Sequence, residues 1–326
     1  MEQTPYRSLL ERLAQARSCE RAVDWSICVF ASREGARIQD CLSALRHATS
    51  GWQSPELTVV VNGPATGTAG AAREALAHWP YPARVVEITL GDKANAWNQY
   101  IHGLRPDARW HLFVDGYVVP DVAGLEVLRE RCEAAPAEQT AATGMPAGEH
   151  AGAVQMREFV TRHGGVLGGL HALRGEFVER LVARGLFQPW GLYRGDGLIG
   201  SWICHDLDPP SNRWDKQHII PVPQAAWQGE RLSPWSPGDL LTHWRRMHRQ
   251  AQGRMENRAI KDIIYREGYE GLPDSARELV EHALILGPGD NDGTPLRRLL
   301  RARVARHVRQ APVPAPDAFL PRNEST

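Results

Sequence analysis

The stretch that decides the fold is LGDKANAWNQYIHGLRPDARWHLFVDGYVVP, residues 90–120. Its pattern predicts a short helix that begins near Lys93, then a strand over residues 110–114 that ends on Asp115. The strand is a short apolar run, which is typical of strands buried on both faces of a sheet. An acid at the carboxyl end of such a strand lies where open α/β sheets bind their ligands. Asp115 is therefore the first candidate for a functional residue.

The residues before this stretch repeat a strand–helix pattern. Apolar runs at 25–32, 56–63 and 83–90 predict strands, and segments 35–48 and 69–79 between them have apolar residues at helical spacing. Strands that alternate with helices of this length favour a mostly parallel sheet with right-handed crossovers. The sequence therefore predicts an α/β fold in which Asp115 follows the fourth strand.

Composition changes along the chain suggest four regions. We expect an N-terminal helix over residues 1–23, an α/β domain over 24–230, a basic helical region over 231–310 and a disordered, proline-rich tail over 311–326. Residues 135–153 are rich in Ala, Gly and Pro, and we expect them to form a mobile loop.

Overall composition limits the function. Apolar residues make up 42% of the 326 residues, and 38 basic residues balance 38 acidic ones, so no global charge favours nucleic acid. The five cysteines contain no CxxC pair, and no segment has the length and apolarity of a membrane span. We expect a cytoplasmic protein without bound nucleic acid.

Three segments together resemble the family 2 glycosyltransferases of the GT-A fold. They are SREGARIQDCLSAL (32–45), GDKANAWN (91–98), which is similar to the family's GKA-x-A-x-N segment, and HLFVDGYVVP (111–120), which resembles the strand end that carries its DxD motif. The resemblance continues in GGLHALRGEFVERL (168–181), similar to the Gly-rich acceptor-side turn, and in RGDGLIGSWI (194–203), similar to the segment with the catalytic base.

The resemblance implies a GT-A type mixed sheet, mostly parallel and flanked by helices, with a helical C-terminal region. It also implies transfer of a sugar from a nucleotide-diphosphate donor to an acceptor hydroxyl, with inversion, in glycan or glycoconjugate synthesis. Asp196 falls on the place of the catalytic base. The implied donor-binding residues are Ser32, Glu34, Asn62, Lys93 and Asp115, and those implied on the acceptor side or at the diphosphate are Arg174, Trp202, Arg245 and Arg249.

The sequence departs from the family at the metal. A DxD motif holds Mg²⁺ or Mn²⁺ against the donor diphosphate through its carboxylates. Here Tyr117 replaces the second acid, Asn62 stands where the family commonly has an acid, and the usual late His falls near Gln228. Three interpretations follow: a metal held by Asp115 and the diphosphate alone, transfer without a metal, or a chain that has lost catalysis.

Two basic segments each have two interpretations. Residues 243–262, which include Arg245 and Arg249, predict either cations that stabilise a departing diphosphate or a solvated helix face. Residues 296–310 predict a basic amphipathic helix, which either packs on the domain or lies on the inner face of a membrane. The membrane alternative would make a lipid-linked acceptor plausible beside a sugar or another hydroxyl compound.

Other motifs have weaker implications. The Gly-rich loop NGPATGTAG (62–70) lacks the lysine of a phosphate-binding P-loop, which favours an ordinary strand-to-helix turn. A nucleotidyltransferase would need a Gly-rich nucleotide loop after the first strand, and SREGARI (32–38) does not supply one. A non-catalytic nucleotide- or glycan-binding protein on the same fold stays open, because Tyr117 and Asn62 replace acids.

Overall fold

A computed structural model of the chain describes residues 5–17, 22–64, 66–229, 237–289 and 294–322, except for the side chains of 5, 237–243, 245 and 246. The strands are β1 (Ala22–Ala31), β2 (Pro55–Asn62), β3 (Ala83–Ile88), β4 (Asp107–Asp115), β5 (Val119–Pro120), β6 (Ala141–Pro146), β7 (Leu170–Arg174) and β8 (Ile219–Gln228). The helices are α1 (Pro5–Ala16), α2 (Ile38–Ala48), α3 (Thr68–Leu76), α4 (Lys93–Gln99), α5 (Val122–Glu133), α6 (Ala151–His163), α7 (Gly175–Ala183), α8 (Gly195–Cys204), α9 (Pro237–Glu267), α10 (Ala276–Ile285) and α11 (Pro295–Gln310).

The described strands form one mixed sheet of eight strands in the order β3-β2-β1-β4-β7-β6-β8-β5. Strands β3, β2, β1 and β4 are mutually parallel, as the alternating strand–helix pattern predicts. Strand β7 is antiparallel to β4, and β6 is antiparallel to β7. The predicted α/β class with a mostly parallel mixed sheet is therefore confirmed, and the reversal at β7 brings the start of that strand beside the end of β4.

The core lies on both faces of the sheet because successive side chains of a strand point to opposite sides. In β1, Ile27 and Val29 belong to one apolar cluster and Cys28 and Phe30 to the other. The first cluster includes α2 and α5, and the second includes α4, α7 and α8. All four β1 side chains are at most 5% exposed, which explains why this strand is apolar on both faces.

The C-terminal helices complete the second cluster. Ile260 and Ile263 of α9 and Leu279 of α10 belong to the same apolar cluster as Ile203 of α8. Helix α11 adds Leu300, Val304 and Val308, all nearly buried. The alternative in which the apolar face of this basic helix packs on the domain is therefore confirmed. No helix within the described part of the chain is long and apolar enough to span a bilayer.

The prediction of a mobile loop over residues 135–153 is wrong over residues 141–146, which form the entirely buried strand β6, and over residues 151–153, which begin α6. The small residues of β6 are required by close neighbours rather than by mobility. A Cβ at Gly144 would lie 2.5 Å from the carbonyl oxygen of Ala225 and 2.7 Å from the side chain of Leu170. Sequence composition cannot distinguish these two causes of a Gly-rich segment.

The prediction of a disordered tail is also wrong over the described part of that tail, residues 311–322. A short 3-10 helix, Pro316–Phe319, buries the ring of Phe319 against Tyr6 of α1, with ring centroids 4.9 Å apart. The side chain of Asn95 donates a hydrogen bond of 3.0 Å to the carbonyl of Phe319. The tail therefore packs on α4, and residues 323–326 lie outside the described part.

Candidate active site

Asp115 ends β4 at the carboxyl edge of the parallel strands, opposite Phe30 of β1. Asp115 is 7% exposed, and its backbone N–H donates a hydrogen bond of 3.1 Å to the carbonyl of Gly169, in the turn before β7. The next amide, Gly116, donates 2.8 Å to the carbonyl of Phe30. The carboxylate is thereby fixed at the position where parallel α/β sheets bind ligands.

Lys93 forms an ion pair with Asp115. The ammonium Nζ donates to Oδ1 of Asp115, and the lysine side chain remains 48% exposed. Lys93 is the first residue of α4, whose N-cap, Asp92, accepts a 2.9 Å hydrogen bond from the amide of Ala94. A half-exposed ammonium on a nearly buried carboxylate leaves a cation available to an incoming anion.

Asp196 comes to the same place through the first turn of α8. A Cβ built on Gly168 would lie 3.4 Å from Nζ of Lys93 and 3.6 Å from Oδ2 of Asp196. The lysine and this second acid therefore face one glycine, and any side chain there would crowd both. The other oxygen of Asp196, Oδ1, accepts 2.9 Å from the amide of Gly197, which leaves Oδ2 as the oxygen turned toward the site.

Tyr117 belongs to this cluster. Burial of the hydroxyl and hydrogen bonding to the charged Asp115, with further negative charge from Asp196 and Glu34, raises the pKa of Tyr117 far above its usual value. The residue as a whole is 42% exposed, and the negative charges of Asp115, Asp196 and Glu34 all act on its hydroxyl. A phenol that stays protonated donates a hydrogen bond and is a poor ligand for a divalent cation.

The predicted donor-side residues line the ends of β1 and β2. Glu34 accepts a hydrogen bond from the amide of Ser32, and the amide nitrogen of Asn62 donates 2.9 Å to the carbonyl of Ala31. A Cβ at Gly63, where φ is +108°, would lie 3.3 Å from both Oγ of Ser32 and the backbone of Gly91. The structure therefore brings Ser32, Glu34 and Asn62 to the same edge as Asp115, and their contact with a donor stays a prediction.

The Gly-rich loop after β2 forms hydrogen bonds with the loop after β1. Thr68 accepts 2.9 Å from the amide of Gly35 through its hydroxyl, and Thr66 donates 2.9 Å to the carbonyl of Ser32. Gly67 has φ +79° and precedes α3. These contacts favour the ordinary turn over a phosphate-binding loop, because the hydroxyls already bind the loop after β1.

Two predicted acceptor-side residues lie elsewhere. Arg174 pairs with Trp110 in the sheet register, at the opposite edge from Asp115, because β7 runs antiparallel to β4. Its guanidinium donates to the carbonyls of Ala135 and Pro136 at 2.9 and 2.8 Å. Arg174 therefore fastens the chain before β6 and does not reach the site.

Trp202 is fully buried and cannot contact an acceptor. Its ring packs against Trp97 with centroids 5.5 Å apart and against Tyr269. Helix α8 has no solvent face beyond its first turn, since α9 and α10 cover it. Arg249 is exposed on α9, one turn before Gly253, whose Cβ would contact Arg194, and its role at a diphosphate stays a prediction. The side chain of Arg245 lies outside the described residues.

The loop before Asp196 is held by three polar side chains for which the sequence predicted no role. Asn98 accepts 2.9 Å from the amide of Gln188 and donates 2.7 Å to its carbonyl. Asp92 accepts 2.6 Å from the amide of Gly191, and Glu256 accepts 3.1 Å from the amide of Tyr193. Asp92 also caps the helix that begins with Lys93. Its carboxylate therefore connects the start of that helix to the loop before Asp196.

Burial destabilises the charged forms of Glu256 and Asp92. Burial raises the pKa of Glu256 to about 7, against hydrogen bonds from Gln252 and Tyr193 that lower it. Burial likewise raises the pKa of Asp92 to about 6, although amides of Gly191 and Ala94 stabilise its charge. A sequence signal existed for Glu256, because it interrupts a stripe of apolar residues, including Met255 and Ala259, on a helix that is otherwise buried on that side.

Replacing Glu256 by glutamine is expected to flatten the pH dependence of stability. The unfolded carboxyl loses its proton near pH 4.5 and the folded one near pH 7, so the free energy of unfolding falls as pH rises between these values, by up to about 3 kcal/mol. In Glu256→Gln the contribution of Glu256 to this fall disappears, while the contribution of Asp92 remains. Urea unfolding at pH 5 and pH 8 measures it; Glu267→Gln, at an exposed position of the same helix, is the control. An unchanged pH dependence in Glu256→Gln would contradict the assignment.

The donor atoms here do not fit a divalent cation held by protein ligands alone. Within the described residues, no group of three or more His, Cys, Asp or Glu side chains could hold a metal ion. Asp115 is already paired with Lys93, and Tyr117 stays protonated. A cation at Asp115 would therefore depend on ligands from a diphosphate and would compete with the ammonium of Lys93.

No protein-family model matches the sequence, and no curated protein sequence does. Solved structures do resemble the fold. A mannosyltransferase from Pyrobaculum calidifontis, in complex with GDP-Man and Mn²⁺, aligns over 93% of each chain with 16% identity and a TM-score of 0.55. Glucosyl-3-phosphoglycerate synthase from Mycobacterium tuberculosis, in complex with phosphoglyceric acid, aligns over 78% of this chain and 83% of its own with 17% identity and a TM-score of 0.50. The fold is thus that of GT-A glycosyltransferases.

Proposed function

We propose that the chain is a glycosyltransferase that moves a sugar from a nucleoside diphosphate donor to an acceptor hydroxyl, with inversion. One observation carries the proposal: Lys93, on Asp115, and Asp196 meet at Gly168, at the carboxyl edge of a GT-A sheet. The resemblance to family 2 and the GDP-Man bound by the P. calidifontis enzyme support the class of donor. Glycan or glycoconjugate synthesis is the process we infer.

In the proposed mechanism Asp196 is the general base. Its Oδ2 accepts the proton of the acceptor hydroxyl while that oxygen attacks the anomeric carbon of the donor sugar. The bond from the anomeric carbon to the diphosphate breaks in the same displacement, so the configuration inverts. Gly168 keeps the space between Asp196 and Lys93 free of side-chain atoms, which leaves room for the reacting sugar.

Lys93 is proposed to stabilise the departing diphosphate. Its half-exposed ammonium lies on Asp115, where a DxD motif would place a metal. A positioned cation stabilises the developing negative charge of a leaving group in the same way as a metal ion does. Mn²⁺ or Mg²⁺, bound through diphosphate oxygens and Asp115, would supply further charge. The chain's own contribution is the Lys93–Asp115 pair, so we propose transfer that does not require a metal.

Tyr117→Asp tests this proposal, because it restores the second carboxylate two residues after Asp115. Turnover of nucleotide sugars by the wild-type protein is expected to persist in EDTA, whereas Tyr117→Asp is expected to be stimulated about tenfold or more by Mn²⁺. Turnover is measured as release of the nucleoside diphosphate from a panel of UDP- and GDP-sugars. The control is Tyr265→Asp, at a tyrosine that is 47% exposed on α9.

Wild-type turnover that requires Mn²⁺ would contradict the role of Lys93 but not the transferase. Absence of turnover with every donor in the panel would contradict the transferase itself. That second result would favour the alternative of a non-catalytic nucleotide- or glycan-binding protein, for which the neutralised carboxylate of Asp115 is the supporting observation.

A further inference from the structure

Three large apolar side chains remain exposed where α10 ends and α11 begins. Ile285 is 84% exposed, Leu299 is 60% exposed and Leu296 is 49% exposed. The side chain of Arg301 donates 3.1 Å to the carbonyl of Ala283, which places the second turn of α11 beside the last turn of α10. The three apolar residues flank the connection between α10 and α11, and together they are here called the apolar corner.

The rest of the exposed side of α11 is strongly basic. The helix contains six arginines and no acidic residue, and over residues 285–310 the balance is six arginines against Asp290 and Asp292, which is a net charge of +4 in a chain whose formal total is zero. Arg298, Arg306 and Arg309 are exposed and form no ion pair with any residue in the described ranges. These three arginines are the basic face.

Core packing does not use either feature. Leu300, Val304, Ala305 and Val308 are buried against the domain, whereas Arg298, Arg306 and Arg309 lie on the exposed side of the helix. The amphipathic pattern that the sequence shows is thus only half explained by packing, since Leu296 and Leu299 lie at the amino end of the helix outside that stripe. A surface that combines exposed apolar side chains with unpaired arginines is complementary to a partner that has both an apolar region and negative charge.

We propose that the apolar corner and the basic face dock the protein on an anionic lipid surface. Arginines near such a surface are attracted by its negative potential, and exposed leucine and isoleucine side chains enter the boundary between headgroups and acyl chains. Nucleic acid would use the arginines but would leave the three apolar side chains in water. The attraction acts through exposed arginines, so docking is expected to weaken as salt concentration rises.

Vesicle sedimentation of the full-length protein tests the proposal. Wild-type protein is expected to sediment with vesicles of equal parts phosphatidylcholine and phosphatidylglycerol, and to remain in solution with phosphatidylcholine alone. The triple variant Arg298→Gln, Arg306→Gln, Arg309→Gln is expected to lose about tenfold or more in partition coefficient. The double variant Leu296→Ser, Leu299→Ser is expected to lose severalfold, about as much as two small apolar insertions contribute.

The matched control is the triple variant Arg46→Gln, Arg131→Gln, Arg213→Gln, which removes three exposed arginines outside α11. It is expected to keep wild-type sedimentation. Equal loss in this control, sedimentation of the wild type with neither vesicle, or unchanged sedimentation of the leucine variant would each overturn the proposal. So would tighter binding to a DNA duplex than to the anionic vesicles. Donor turnover is measured without vesicles, so this result and that of the proposed transferase are independent.

Discussion

Replacing Asp196 by asparagine is expected to lower kcat by about 10²-fold or more, because the acceptor hydroxyl then has no base to take its proton. The fold should survive. Among the described residues, Oδ1 of Asp196 accepts a hydrogen bond only from the amide of the next residue, Gly197, and an asparagine oxygen can accept the same bond. Donor affinity should also be retained, since Lys93 and Asp115 are unchanged. The measurement is the steady-state rate of transfer with the best donor and acceptor from the panel.

Asp24→Asn is the control for this substitution. Asp24 is an exposed acid near the start of β1, at the opposite end of the strand from Asp115's partner Phe30, so its loss should leave kcat unchanged. Thermal unfolding of both variants checks that they are folded. Turnover by Asp196→Asn equal to that of the wild type would remove Asp196 from the mechanism.

Lys93→Met is expected to lower kcat/KM by about 10²–10³-fold, the loss typical when one preorganised donor to a developing charge is removed. Methionine keeps most of the side-chain length and removes only the cation. Asp115 then faces the donor diphosphate without its partner, so repulsion weakens donor binding as well as the displacement step. Both kcat and KM should therefore change, which separates Lys93 from Asp196, whose loss should affect kcat alone.

Lys261→Met, at an exposed position of α9, is the control for the lysine substitution. It should keep wild-type kinetics with every donor. Lys93→Met with unchanged kcat/KM would show that the ammonium on Asp115 is a structural ion pair only. In that case a cation other than Lys93 would have to stabilise the diphosphate.

Local pattern was sufficient for the sheet that places the site. Strands β2, β1 and β4 each contain a mostly apolar run, and β2 and β4 end on a polar or charged residue, so Asn62 and Asp115 could be located from the sequence. The resemblance to family 2 added Lys93 and Asp196, which the structure brings together at Gly168.

Long-range packing decided the rest. Arg174 was misplaced because strand direction in β7 depends on its partner β4, and an antiparallel strand sends its end to the opposite edge. Trp202 was misplaced because α9 and α10, more than 30 residues later, cover its helix. Glu256 is 60 residues from Asp196, and only the folded chain shows that it binds the loop before that acid.

The central claim is that Lys93 and Asp115 receive the diphosphate of a nucleotide sugar without requiring a metal. Calorimetric titration of the wild-type protein and Lys93→Met with UDP and GDP, in EDTA and then with Mn²⁺, tests it most directly. We predict that the wild type binds one of these nucleotides in EDTA and that Lys93→Met loses about tenfold or more in affinity. Binding that appears only with Mn²⁺, or that is unaffected by Lys93→Met, would contradict it.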